Sequence, residues 1–368
     1  MRIQRTLLST VLVTSLLTAC GGGSSTQPPS TSTQPPQASC DLSALEQSLR
    51  QQAAALKTDT DFTLLLERFD GRSFSYSRGA SSAVTSYESA STSKWVSAVV
   101  ILRLVDSGVL KLSDTAASRL SDWPLSASHP LSQMTLQQLL SFTSGLTEEP
   151  FCLNLPGADF AQCVRQGVSN NTANGRVPGS VFDYNGLHLQ VAGLMAIRAA
   201  AAADWQALFR QFVQQTGLFS TARYDLPSAS NPRLAGGMHW TAQEYLDFLR
   251  ALQQGKLLSP ALQQQMLANQ RGTATVLNSP AISGFGSDWP YGLGHWLECT
   301  ISQPNSGQCP SAQRHSSPGA YGAYPLIDYQ YSYLAMLARE GQLGSFVEGK
   351  AVVDALTPAI QAWASCKP

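Results

Sequence analysis

Ser91 stands three residues before Lys94, and the stretch that follows, Trp95 to Val105, is mostly apolar. Positions i and i+3 of a helix share one face, so the spacing predicts a hydroxyl and an amine within hydrogen-bond reach. A helix that is apolar nearly all round is buried on most sides. Burial disfavours the charged amine and pulls its pKa down, which makes Lys94 a candidate base or electrostatic activator for Ser91. A serine at the positive end of a helix also has backbone N–H groups beside it that can hold a developing oxyanion. Lys94 is the only one of the six lysines with serine at minus three. The four letters alone would equally suit a capping serine and a surface lysine, so the weight falls on the apolar context and on what surrounds the pair.

The elements that must position this pair follow from patterning. Leu42 to Leu56 has helical spacing, and Phe62 to Phe69, the turn Asp70-Gly71-Arg72 and Ser73 to Tyr76 read as a hairpin. Helical periods recur at 134–141, 186–203, 204–215, 242–253 and 259–268, between loops bearing Pro and Gly. Tyr321 to Ile327 and Tyr331 to Leu337 read as a second hairpin, and a helix over about 345–364 closes the chain. Strands at both ends with helices between predict an α/β fold of the α+β type. It would have one antiparallel sheet made from the N- and C-terminal segments, flanked by helices, with a mainly helical lobe inserted over about 110–275.

Residues 1–20 read as a signal segment: Arg2 and Arg5, an apolar run from Leu7 to Leu17, then Leu17-Thr18-Ala19-Cys20. That tetrapeptide resembles a bacterial lipobox, which implies lipidation at Cys20 and a membrane anchor. Gly21 after Cys20, by resemblance to sorted lipoproteins, suggests the outer membrane, facing the periplasm. Residues 21–39 lack any large apolar side chain and read as a flexible tether, leaving 40–368 as the folded domain. No later stretch reaches the roughly 18 apolar residues a spanning helix needs. Six cysteines remain after Cys20, the arithmetic of a disulfide set in an exported chain. Proximity favours Cys152–Cys163 and Cys299–Cys309, which leaves Cys40–Cys366 to join the two ends, although six cysteines allow 15 connectivities. A metal site is the competing use, but no C-x-x-C and no close histidine pair accompanies them, so neither metal nor cofactor is expected. The 24 basic and 24 acidic residues balance, which gives no electrostatic case for a nucleic-acid partner.

Several ordered stretches carry a resemblance: Ser91-Thr92-Ser93-Lys94, Met134 to Leu146 with its Phe142-Thr143-Ser144-Gly145, Pro178 to Tyr184, Ala235-Gly236-Gly237, Tyr291-Gly292-Leu293-Gly294 and Ser317 to Gly322. In order and spacing the chain resembles the serine β-lactamase-like superfamily, in its class C β-lactamase, D-alanyl-D-alanine carboxypeptidase and carboxylesterase branch. The resemblance implies a β-lactamase/transpeptidase-like fold and acyl-enzyme chemistry at Ser91. It also assigns Tyr184 to the tyrosine of the Tyr-x-Asn motif, beside the Ser-Lys pair. An ammonium at Lys94 would lower the phenol from its usual value near 10 and let Tyr184 take the serine proton.

Two departures bear on substrate. Gly186 stands where the family asparagine would, and Asn185 comes one position early. An amide gripping an acylamino carbonyl is therefore in doubt, which favours an ester over a β-lactam or peptide. The third motif, Lys-Thr-Gly or His-x-Gly in the family, has His315-Ser316-Ser317 as its counterpart without the glycine, and Pro318 and Gly319 leave its register open. His315 would bring a switchable charge near the substrate, and an N–H near Ser317 a second oxyanion donor. His129, His188, His239 and His295 read as structural or surface groups. No Gly-x-Ser-x-Gly elbow occurs, which removes the α/β-hydrolase plan. The expected function is a membrane-tethered serine hydrolase cleaving an ester or amide of a small to medium substrate. The alternatives are a β-lactamase or D-alanyl-D-alanine carboxypeptidase, and a non-catalytic lipoprotein that binds a cell-wall fragment.

Overall fold

The computed structural model describes residues 40–299 and 313–366. The signal segment with Cys20, the tether, and Cys309 lie outside the described residues.

Six strands form one antiparallel sheet: β1 (Thr63–Arg68), β2 (Ser73–Ser77), β3 (Trp296–Glu298), β4 (Arg314–Ser316), β5 (Tyr324–Asp328) and β6 (Tyr333–Ala338), in the order β2-β1-β6-β5-β4-β3. The first hairpin turns at Asp70-Gly71, where Gly71 takes a φ of 91° that a side chain would resist. β1 and β6 pair from Thr63↔Ala338 to Arg68↔Tyr333, so the two chain ends meet in the middle of the sheet.

Every residue of β1, β5 and β6 is buried, without the alternation of a half-exposed strand, because both faces of the sheet are covered. Leu64 and Leu66 point into a core with Leu49 and Ala53 of α1 (Leu42–Ala55) and Val352, Leu356 and Trp363 of the C-terminal helix (Phe346–Ser365). Leu65, between them, joins the larger core. That larger core holds α2 (Ser93–Asp106), α3 (Leu187–Ala199) and α4 (Ala242–Gln253). In α2 the ten residues Ser93 to Leu102 are all buried.

Most helices fall between β2 and β3, where the inserted lobe was expected. The lobe also contains strands of two to four residues: Ser86–Glu88, Arg223–Tyr224 and Met238–Thr241 form a small sheet, and Val181–Asp183 runs parallel to Thr275–Asn278. Such short strands show too few alternations to register as a period of two. The helix expected over 134–141 is shorter, Leu136–Leu140, started by a Thr135–Gln138 capping box and stopped where Phe142 turns to a φ of 61°. The cysteine pairs Cys40–Cys366 and Cys152–Cys163 are bonded, the first closing a separation of 326 residues between the domain ends. Cys299 is also disulfide-bonded.

Candidate active site

Ser91 lies in a single 3-10 turn, Ala90–Thr92, immediately before α2. Ala90 adopts a φ of 44°, a left-handed conformation unfavourable for a residue with a Cβ, of the kind that persists where surrounding structure over-determines it. Two bonds fix the turn: Ser89 N–H donates to Met238 O at 2.8 Å, and Ser317 Oγ donates to Ser91 O at 3.1 Å. The nucleophile candidate is thus clamped between the lobe and the strand end.

Lys94 is buried, 5% exposed, with its Nζ 2.8 Å from Ser91 Oγ and 2.8 Å from Ala235 O. Burial brings its pKa down from 10.5 to about 7; the negative charge of Glu149 works against this and the positive charge of Arg233 with it. Gly294 allows this crowding: at a φ of 85°, a Cβ there would fall 2.3 Å from Ala98 Cβ and 3.0 Å from Lys94 O. Gly294 therefore lets the chain entering β3 lie against α2.

Tyr184 completes the group. Its ring lies under the lysine, 4.6 Å from Nζ to the centroid, stacks on Trp296 at 5.0 Å and meets Phe142 edge-on at 5.5 Å. Its backbone is held by Asn278, which accepts from Tyr184 N–H at 3.1 Å and donates from its side chain to Tyr184 O at 3.0 Å. Burial raises the phenol to about 12, opposed by side-chain hydrogen bonds with Ser91 and Trp296. This corrects the expectation of a phenol acidified by Lys94. The amine faces the π cloud of the ring, and loss of water around the phenol is the largest influence on it.

His188 takes the structural role expected of it. Its Nδ1 accepts from Ser144 Oγ at 2.8 Å and its Nε2–H donates to Asp183 O at 2.9 Å, partners that define this tautomer. Burial carries its pKa down to about 3, so the ring stays neutral while it braces Asp183, the last residue of the strand that precedes Tyr184.

The third motif is arranged differently from expectation. Side chains at i and i+2 of a strand share a face but sit about 6–7 Å apart, so His315 lies deeper than Ser317. It is buried against His295, 3.0 Å between ring nitrogens, and against Tyr329, and does not line the cleft at Ser91. Ser316 faces the opposite side of the sheet and is fully buried. The N–H of Ser317 donates to Pro325 O at 3.3 Å and that of Gly319 to Ala323 O at 2.9 Å, so both expected oxyanion donors are committed to the β-turn region. Ala320, one residue on, does line the cleft.

Asn185 turns away from the cleft. Its Nδ2 donates to Leu146 O and Asp183 Oδ1, each at 3.0 Å, and its Oδ1 caps α3 by accepting from Leu187 N–H at 3.0 Å. The space a side chain at Gly186 would use is taken by Glu149: a Cβ there would lie 2.6 Å from Glu149 Oε1, which accepts from Gly186 N–H. Glu149 is held from the other side by Arg233 at 3.1 Å. Sequence reading missed Glu149 and Trp296, and it gave no role to Ala235 and Ala320, which lie within the matched stretches Ala235 to Gly237 and Ser317 to Gly322. Among the described residues no group of three His, Cys, Asp or Glu is placed to hold a metal, and no helix is long and apolar enough to cross a membrane.

A two-sided antiparallel sheet with an inserted helical lobe, a Ser-x-x-Lys pair at the mouth of a buried helix and a tyrosine against the lysine define the class of serine β-lactamase-like folds. The chain belongs to the Beta-lactamase family, whose model matches residues 70–347. No curated protein matches the sequence. Among solved structures it is similar to a protein of Bacteroides dorei described as a beta-lactamase, with 24% identity and a TM-score of 0.69, covering 86% of this chain and 98% of that one. It is also similar to EstCE1, a hydrolase with promiscuous acyltransferase activity, at 19% identity and a TM-score of 0.64, covering 86% and 98%. A mutant of simvastatin synthase from Aspergillus terreus matches at 16% identity and a TM-score of 0.64, covering 87% and 94%. At these identities the likeness is one of fold.

Proposed function

We propose that this protein is a serine hydrolase that forms an acyl-enzyme through Ser91 and cleaves esters of small to medium substrates in preference to β-lactams or D-alanyl-D-alanine peptides. The observation that carries the reading is the 2.8 Å contact between Ser91 Oγ and a Lys94 amine held near 7. Burial lowers the amine to about 7 and raises the phenol to about 12, so near neutral pH the amine is the group of the two able to take a proton. The base is therefore Lys94, and Tyr184 serves as a neutral hydroxyl that relays protons.

In the reaction, the Ser91 Oγ–H proton passes to Lys94 Nζ as Oγ bonds to the substrate carbonyl carbon. The oxyanion is held by the N–H of Ser91 and that of Ala320, which lines the same cleft and donates to no other group among the described residues. Collapse breaks the ester C–O bond, and the leaving oxygen takes the proton from the Lys94 ammonium, directly or across the Tyr184 hydroxyl. Water then attacks the acyl carbon and gives its proton to Lys94; collapse breaks the bond between that carbon and Ser91 Oγ, which takes the proton back from Lys94 as the acid leaves.

The ester preference is supported by the position of Asn185 and by Glu149 at the place of the missing amide. A carboxylate there accepts hydrogen bonds and repels a substrate carbonyl. Folded protein incubated with a fluorophosphonate probe is expected to carry the adduct on Ser91 and to turn over p-nitrophenyl esters faster than a chromogenic cephalosporin. Absence of the adduct would favour a binding lipoprotein, and faster cephalosporin turnover a β-lactamase.

The lipobox-like Leu17 to Cys20 supports a lipid anchor in the cell envelope, at the outer membrane and facing the periplasm. In cells, Cys20→Ser is expected to move the protein from the membrane fraction to the soluble one; unchanged fractionation would end the anchor reading.

A further inference from the structure

One ion pair joins the segments that meet at the Lys94 amine. Glu149, just before the 3-10 turn Phe151–Asn154, accepts the Gly186 N–H at Oε1 and an N–H of Arg233 at Oε2, the second at 3.1 Å. Arg233 opens the turn whose Ala235 carbonyl accepts from Lys94 Nζ at 2.8 Å. The N–H groups of Gly236 and Gly237 close that turn by donating to Arg233 O at 3.1 and 2.6 Å. We propose that Glu149 and Arg233 are positioning residues for the reaction: they hold the Gly186 and Ala235 segments against Lys94, and their opposite charges set the pH range in which its amine works. The inference rests on the acyl-enzyme reading above and adds to it what governs the base.

The fit of the pair is close. A Cβ on Gly186 would fall 2.6 Å from Glu149 Oε1 and 3.3 Å from Ala235 Cβ, so the carboxylate lies against the residue whose carbonyl the lysine bonds. Arg233 is seated separately, its Nη1 donating to Asn154 Oδ1 at 2.7 Å. Two residues earlier, Asn231 Nδ2 donates to Cys152 O at 2.9 Å and to Leu155 O at 3.0 Å, which lays this stretch along the 3-10 turn. Leu234 ties the Ala235 turn to α3 and α2: its N–H donates to Gln190 Oε1 at 2.6 Å and its carbonyl accepts from Ser97 Oγ at 2.7 Å. What Glu149 adds is the link from Arg233 to Gly186, two residues after Tyr184.

Charge gives the pair its second role. Burial is the largest influence on the Lys94 amine; the Glu149 carboxylate favours the ammonium against it, and the Arg233 guanidinium disfavours the ammonium with it. The other titratable groups beside the amine keep their charge near neutral pH, because burial raises the Tyr184 phenol to about 12 and lowers the His188 imidazole to about 3. Around the pair itself, burial and then the Glu149 charge push the Asp183 carboxyl up, against hydrogen bonds with Asn185 and Asn278. Arg233 acts on the Tyr321 phenol, which Glu88 and Glu340 also face. The Glu149 and Arg233 side chains are 31% and 35% exposed, so water and salt temper both charges.

The test reads the pH limb of ester hydrolysis in wild type, Glu149→Gln, Arg233→Gln and the double variant. Glutamine at 149 keeps an acceptor for the Gly186 N–H but removes the charge, so the limb moves to lower pH. Glutamine at 233 moves it to higher pH, and the double variant brings it back near the wild-type position. Arg233→Lys keeps the charge and leaves the limb in place, and salt at about 1 M narrows the spread between the single variants. Glu149→Ala removes the link as well as the charge, and its kcat falls about tenfold or more below that of Glu149→Gln. Thermal melts first establish that each variant is folded; if Glu149→Ala is not, the glutamine set decides. Limbs that coincide, or that move the same way in both single variants, overturn the proposal and leave the acyl-enzyme reading standing. If none of the proteins turns over any ester, that reading fails, and the Lys94 titration is followed instead by the NMR signal of its labelled Cε, assigned by its loss in Lys94→Met. Midpoints in the same order as the expected limbs then keep the proposal, and equal midpoints end it.

Discussion

Replacing Lys94 with methionine is expected to lower kcat/KM for a p-nitrophenyl ester by about 10^3 to 10^4, because the substitution removes the base while leaving the helix apolar. The wild-type pH profile supplies the second half of the test. Activity should rise with pH along a limb centred near 7, where the Lys94 amine loses its proton, and the residual activity of the Lys94→Met protein should lack that limb. A wild-type profile flat from pH 5 to 9 would remove Lys94 as the base.

The same substitution has an opposite effect on stability. Burial holds Lys94 near 7 in the folded chain against 10.5 when exposed. Below pH 7 both states are protonated and folding carries the full cost of burying the ammonium, on the order of 5 kcal/mol. Between 7 and 10.5 the unfolded chain binds the additional proton, so wild-type stability rises with pH and the cost is gone above 10.5. Thermal melts should accordingly show Lys94→Met gaining most over wild type at pH 6, with the advantage shrinking by pH 9. The unpaired Ala235 carbonyl, which loses its bond from Nζ, offsets part of the gain. An advantage that grows with pH would contradict the depressed lysine.

Tyr184→Phe is the second large effect. The ring contacts with Trp296, Phe142 and Lys94 do not need the hydroxyl, so the fold should hold while kcat falls by about 10^2 to 10^3. The limb near 7 should stay where it is, because the phenol relays a proton without itself ionising. If the substitution instead abolished or displaced that limb, the phenol would be the titrating base. The pH profile is the readout that separates the two roles, since loss of rate alone would not.

How much of this was legible varies by residue. Ser91 and Lys94 were readable because the spacing of three is a local property of a helix, and the apolar run after them announces a buried environment. Tyr184 was reached through the resemblance of Pro178 to Tyr184, and its ring lies 4.6 Å from Lys94 Nζ. Its acidity was misjudged, since burial of the phenol raises its pKa and no local motif shows that burial. His315 was placed near the substrate from motif order, but successive residues along a strand are carried away from it, and this segment lines the cleft only from Pro318 on. Glu149 carried no signal at all: it lies 37 residues before Gly186 and fills that gap only because the lobe folds back.

What the sequence by itself determined is the local and the periodic: two hairpins, a buried helix opened by a serine and a lysine, terminal segments able to share one sheet, and membership in a superfamily with that plan. What only the tertiary structure decided is which groups are desolvated and which way they face. Burial lowers the Lys94 amine and raises the Tyr184 phenol, the two opposite shifts on which the proposed roles of base and relay rest. Burial is set by contacts between segments tens to hundreds of residues apart, which no window of sequence contains.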